Sequence, residues 1–192
     1  MARRGPEVVS GTGDAWYEGL RSEYKPEFVR LLLIGESAPS DHDGARRRNF
    51  FYADHLGYDN LYRGVVEALY GLRGLRATSH DKRPWLRRLQ GDGVFLIDLV
   101  PYPVNDMKNQ AARQAVLKEN VPGCIRRASG LNPEGIILCS RNVFDALAGP
   151  LMDHHMPILH SEPLPFPLGN VRKRFVSSFK EASSQVGLDT KP

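Results

Sequence analysis

The sequence predicts an α/β fold of three layers, a central and mainly parallel four-stranded sheet between helices. Two observations predict it. Four short apolar runs are each closed by glycine, proline or a polar residue, and the segments between them carry apolar residues at helical spacing. Strands that alternate with helices are joined by crossovers, so neighbouring strands run parallel with helices on both faces.

The elements follow in order. Asp14 is placed to cap a short helix through Ala15-Trp16-Tyr17-Glu18-Gly19-Leu20. Phe28 to Ile34 forms the first strand, closed by Gly35. Residues 36–58 form a long polar loop ending in Phe50-Phe51-Tyr52, and a loop of that length inside a compact domain is usually functional. Leu61, Val65, Val66, Leu69 and Leu72 mark a helix over 59–76, and Pro84 opens another through Leu89. Val94 to Val100 is the second strand, stopped by Pro101. Residues 109–128 read as a helix interrupted near Pro122-Gly123. Gly135 to Cys139 is the third strand, Val143 to Leu147 starts the next helix, and Pro157-Ile158-Leu159 is a short fourth strand ending at His160. Phe175 to Ala182 closes the fold, and the tail after Gly187 is expected to fray.

A length of 192 residues suits one domain spanning 1–192. No apolar run is long enough to cross a bilayer, and the basic start Met1 to Pro6 lacks the apolar stretch of a signal peptide, so a cytoplasmic protein is expected. Cys124 and Cys139 stand alone, too few and too far apart for a disulfide framework or a zinc site, and read as small buried side chains. The net charge of +4 permits nucleic-acid binding without demanding it. Its distribution is more telling: Arg46-Arg47-Arg48, then Arg83, Arg87 and Arg88, then Arg172-Lys173-Arg174. There is no phosphate-binding glycine loop of either common type and no nucleophile elbow.

Open α/β sheets bind ligands at the carboxyl ends of their strands. The first strand runs into Gly35-Glu36-Ser37-Ala38-Pro39-Ser40, the second carries Asp98 into Pro101-Tyr102-Pro103-Val104-Asn105, and the fourth ends in His160-Ser161-Glu162-Pro163-Leu164-Pro165. Carboxylates, a histidine, aromatics and an amide thus converge on one rim without an evident metal cage.

The order of these pieces resembles the uracil-DNA glycosylase superfamily over most of the chain. His160-Ser161-Glu162-Pro163-Leu164-Pro165 resembles that family's H-P-S-P-L-S signature, matched at the histidine, the second proline and the leucine, and the basic Arg172-Lys173-Arg174-Phe175 follows it. Gly35-Glu36-Ser37-Ala38-Pro39 resembles the other signature, G-Q-D-P-Y or G-E-A-P-G, with one residue more before the proline. Trp85 to Gln90 resembles the stretch leading to the strand whose asparagine reads the base; here that position is Asp98.

The resemblance implies a DNA-repair enzyme, acting as a monomer without metal or cofactor, that flips uracil from DNA and hydrolyses its N-glycosidic bond in base excision repair. It implies that Phe51 stacks on the base, that Gly35 and Asp98 line the base site, and that His160 donates to the departing base. Leu164, with Pro163 and Ser161 beside it, would wedge into the duplex. Arg172, Lys173 and Arg174 would hold phosphates, with Arg46 to Arg48 as a second set. Two departures stand out. Ser37 occupies the place of the family's catalytic aspartate, so Glu36, Asp41 or Asp43 is expected to supply that charge. Asp98, an acceptor when ionised, replaces an amide that also donates. The departures keep three other readings open: a non-catalytic DNA-damage or single-strand DNA binder of the same fold, a glycosylase for another deaminated base, and an α/β enzyme acting on a free nucleoside or nucleotide.

Overall fold

A strand buried on both faces of a parallel sheet needs apolar residues at every position rather than at alternate ones. The computed structural model, which describes residues 16–40, 49–77, 79–104 and 106–188, uses three of the apolar runs in this way. Strand β1 (Leu31–Gly35) lies at the centre, with β2 (Val94–Asp98) on one side and β3 (Gly135–Leu138) on the other, all parallel. The register sets Leu33 opposite both Leu96 and Ile137, and Gly35 opposite Asp98. Every residue of the three strands is buried.

The sheet has three strands rather than the expected four. The fourth run makes a single parallel bridge, Ile158 to Ile136. The Ile136 N–H donates to the Pro157 carbonyl (2.8 Å) and the Leu159 N–H to the Ile136 carbonyl (3.0 Å), and there the ladder stops. The Leu159 carbonyl instead accepts from the Gln185 side-chain amide (2.8 Å), and the Leu138 N–H donates to Nε2 of His160 (2.9 Å). Pro163, Pro165 and Pro167 follow, and residues without an N–H do not extend a ladder.

Six helices are described: α1 (Trp16–Glu23), α2 (Asn60–Tyr70), α3 (Arg83–Gly91), α4 (Gln110–Leu131), α5 (Arg141–Asp153) and α6 (Arg172–Ser184). Helix α2 packs on α6, and α4 on α5. The chain moves from β1 outward to β2, then back across β1 to β3. Helix α3 packs on β2, and α5 and α6 pack on β3. Asp59 caps α2 by accepting from the Tyr62 N–H (2.9 Å), and Asn109 caps α4 by accepting from the Ala112 N–H (3.0 Å). Helix α4 does not break at Pro122 as expected. Its buried residues Leu117, Cys124, Ile125 and Ala128 lie on both sides of the proline, and their packing holds the helix together through the missing hydrogen bond.

The loop after β1 ends in a buried aromatic segment. The Tyr52 hydroxyl accepts from the Leu96 N–H (2.6 Å) and donates to the Leu96 carbonyl (3.2 Å). Those backbone groups are on the outer side of the edge strand β2, so one phenol satisfies an edge that would otherwise be open for pairing. Tyr52 stacks on Tyr24 with ring centroids 6.0 Å apart. Nearby, Lys82 is fully buried; its ammonium donates to the Phe50 carbonyl (2.8 Å) and to Asp59 (2.9 Å) and lies 4.6 Å from the centroid of the Tyr62 ring. This pair ties the aromatic segment to the start of α2. Among the described residues, no helix is long and apolar enough to cross a membrane.

Candidate active site

A parallel sheet whose strand order doubles back leaves a crevice where the two crossovers diverge, at the carboxyl ends of the strands flanking that point. In the order β2-β1-β3 this point lies between β1 and β3. Glu36 follows β1 directly. Across the crevice, Cys139 continues β3, its N–H bonded to the Ile34 carbonyl (3.0 Å), and Ser140 caps α5 by accepting from the Val143 N–H (3.3 Å). The α5 amino end therefore opens beside Glu36.

The Glu36 carboxylate is clamped from two helices. Nε of Arg113, in the first turns of α4, donates to Oε1 (2.5 Å), and the side-chain amide of Asn142, at the start of α5, donates to Oε2 (3.2 Å). The glutamate side chain keeps 16 % of its exposure. Each carboxylate oxygen has a second lone pair, so a water or substrate group can still be accepted. Ser37 beside it accepts from the Val104 N–H (3.4 Å), and Ser40 is bonded to Asp106. The loops after β1 and β2 are thereby stitched together.

Gly35 and Asp98 are neighbours across the β1–β2 ladder, and the Asp98 carboxylate lies over Gly35. A Cβ on Gly35 would come within 2.6 Å of Asp98 Oδ1, so only glycine leaves room for that carboxylate. Asp98 is 4 % exposed, and its Oδ2 accepts from Arg21 of α1 (2.5 Å). Burial pushes the Asp98 carboxyl up to about 6, against the pull of the Arg21 guanidinium. One Asp98 oxygen is therefore on Arg21 and the other lies over Gly35, within the buried end of the β1–β2 pair.

His160 follows the short segment bridged to β3, on the side of β3 away from β1. Its Nδ1–H donates to the Glu162 carbonyl (2.8 Å) while Nε2 accepts from Leu138. The Phe144 ring lies 5.4 Å from the imidazole, and burial lowers the His160 pKa below its usual value. This fixes the neutral Nδ1–H tautomer with no N–H left to donate to a departing base, the role expected from the sequence.

The remaining expected residues divide. Phe51 is 5 % exposed and packs edge-on to Tyr52 and Tyr62, so it is a core ring rather than a stacking platform. Leu164 is 2 % exposed and does not project as a wedge. It borders a cleft of about 440 Å³ with Ser161, Pro163, Arg174 and His160. Arg172 is held by Glu67 (2.8 Å) and by the Arg63 carbonyl (3.0 Å), which clips α6 to α2; Lys173 and Arg174 are exposed. In the middle basic cluster, Arg83 pairs with Asp81, Arg87 with Glu23, and Arg88 lies over the Tyr70 ring. Asp14, Asp41, Asp43, Arg46 to Arg48 and Asn105 lie outside the described residues.

Arg21, Arg113 and Asn142 were not singled out from the sequence. Asn142 follows the helix cap Ser140 and so faces the crevice by position, a signal that was available; Arg21 and Arg113 sit within helices, where an arginine ordinarily marks a solvated face. Comparison of the chain with family models, with curated proteins and with solved structures gives no match.

Proposed function

We propose that the protein hydrolyses the N-glycosidic bond of uracil in DNA, with Glu36 as the catalytic carboxylate. The observation that carries this reading is the Glu36 clamp: a carboxylate held by Arg113 and Asn142 at the switch point of the sheet, beside the amino end of α5. Cleavage builds positive charge on the deoxyribose as the electron pair of the C1′–N bond leaves with the base. A fixed carboxylate favours that charge and orients the water that adds to C1′. The Arg113 and Asn142 contacts hold it in one geometry, as such preorganisation requires.

DNA contact falls to the loop before α6. Phe166 and Leu168 are its exposed large apolar side chains, and Lys173 and Arg174 follow close behind. An apolar wedge beside phosphate-binding cations is the arrangement that distorts a duplex and holds it open. Phe166 and Leu168 thus take the part that the sequence reading gave to Leu164.

A second reading is favoured by one observation. His160 has both ring nitrogens committed, which suits a protein of this architecture that binds DNA damage or single strands without cutting the glycosidic bond. Incubation with an oligonucleotide carrying one uracil, in chelator, then alkali and strand sizing, separates the two. Cleavage at the uracil supports the hydrolase; tight binding without cleavage supports the binder.

A further inference from the structure

Away from the Glu36 crevice, a cavity of about 770 Å³ opens between α1, α4 and the end of β2. That is the size range of sites for small organic ligands. Its charge is one-sided. Arg21, Lys25, Arg126 and Arg127 line it, against Glu18 alone. Arg127 gives one N–H to the Leu99 carbonyl (2.9 Å), and Arg21 is bonded to Glu18 and Asp98. Lys25 and Arg126 are exposed with no acidic partner among the described residues. Deep in the wall, Arg21 Nε is a buried donor with no hydrogen-bond partner. Unsatisfied buried donors are rare, and this one belongs to a guanidinium that borders the cavity, with its two terminal nitrogens on Glu18 and Asp98. The rest of the wall is apolar or aromatic: Phe95, Ile97, Leu131 and the half-exposed ring of Tyr102.

We propose that this cavity binds a nucleotide phosphate, the anion against the α1–α4 cations and the flat base against Tyr102 and the apolar wall. The chemistry is that of a phosphate monoester carried next to a ring; free mononucleotides and the 5′-phosphorylated end of a DNA strand both offer it. The site is separate from the Glu36 crevice, so it stands whether or not the chain hydrolyses a glycosidic bond. It reaches that crevice through one chain of contacts, Arg21 to Asp98 to Gly35.

The test is equilibrium binding to the full chain of dUMP, of deoxyuridine, and of a short thymidine oligonucleotide with and without a 5′-phosphate. The expected result is that the phosphate strengthens binding about tenfold or more over the matched compound without it, with affinity falling as salt rises. Arg126→Glu and Lys25→Glu, both exposed positions, should each remove that preference while leaving thermal melting and uracil excision unchanged. A stronger effect in dUMP identifies the free nucleotide as the ligand, and a stronger effect in the oligonucleotide identifies the strand end. No phosphate preference in either pair, or a phosphate preference untouched by both charge reversals, overturns the proposal. Neither result depends on whether the protein cleaves uracil, which the excision assay reads separately.

Discussion

Nε2 of His160 accepts the Leu138 N–H at 2.9 Å, so a side chain closes the edge of the sheet where a fourth strand would have supplied a carbonyl. His160→Ala leaves that N–H buried without a partner, and we expect a stability loss of about 1–3 kcal/mol in denaturant unfolding. His160→Gln, whose amide oxygen can accept the same bond, should recover part of it. A histidine acting only on substrate would show unchanged unfolding in both variants.

The same imidazole sets a pH dependence. Its folded pKa is lowered by burial while the unfolded chain keeps the ordinary value of about 6.5. Below that value the unfolded state binds the extra proton, so His160 subtracts stability as pH falls. Asp98 works in the opposite sense. Its folded value of about 6 lies above its ordinary 3.8, so between these the folded state binds more protons and stability falls as pH rises. The two slopes oppose one another in the natural protein. Asp98→Asn should remove its own, leaving stability that declines more steeply as pH drops from 6 to 4. An unchanged slope would show that Asp98 titrates at its ordinary value.

Lys82 and Asp59 form a fully enclosed ion pair. Lys82→Met strands the Asp59 carboxylate and should cost about 3–5 kcal/mol, measured by urea unfolding. Adding Asp59→Asn, which keeps an α2 cap, should restore part of that loss. Strict additivity of the two changes would mean that the pair does not interact.

Tyr52→Phe removes one oxygen and uncovers the Leu96 N–H and carbonyl on the outer side of β2. We expect a loss of about 1–3 kcal/mol and a greater tendency to aggregate on warming, read by light scattering. Unchanged melting and scattering would remove the edge-covering role.

The three strands were legible because a buried parallel strand is an unbroken apolar run, as at Leu31–Gly35 and Val94–Asp98. Pro157-Ile158-Leu159 has the same appearance, but its extension is decided by where the His160 side chain and the Gln185 amide point, which local sequence does not encode. Pro122 reads as a helix break because proline removes a hydrogen bond, while the packing of Ile125 and Ala128 that outweighs it is tertiary. At the rim, strand ends located Glu36, Gly35 and Asp98 together, since position in a parallel sheet follows from strand order. The Phe50-Phe51-Tyr52 run marks an aromatic cluster equally well whether it serves a ligand or the core, and here all three rings are buried.

The central claim is that the clamped Glu36 carboxylate performs glycosidic cleavage. The most direct measurement is single-turnover excision from a uracil-containing oligonucleotide, natural protein against Glu36→Gln, with DNA affinity measured in parallel. The account predicts abasic sites with the natural protein and a fall of about 10²–10⁴ in rate for the variant at little-changed affinity. Near-normal turnover by Glu36→Gln, or no excision by the natural protein, would contradict it.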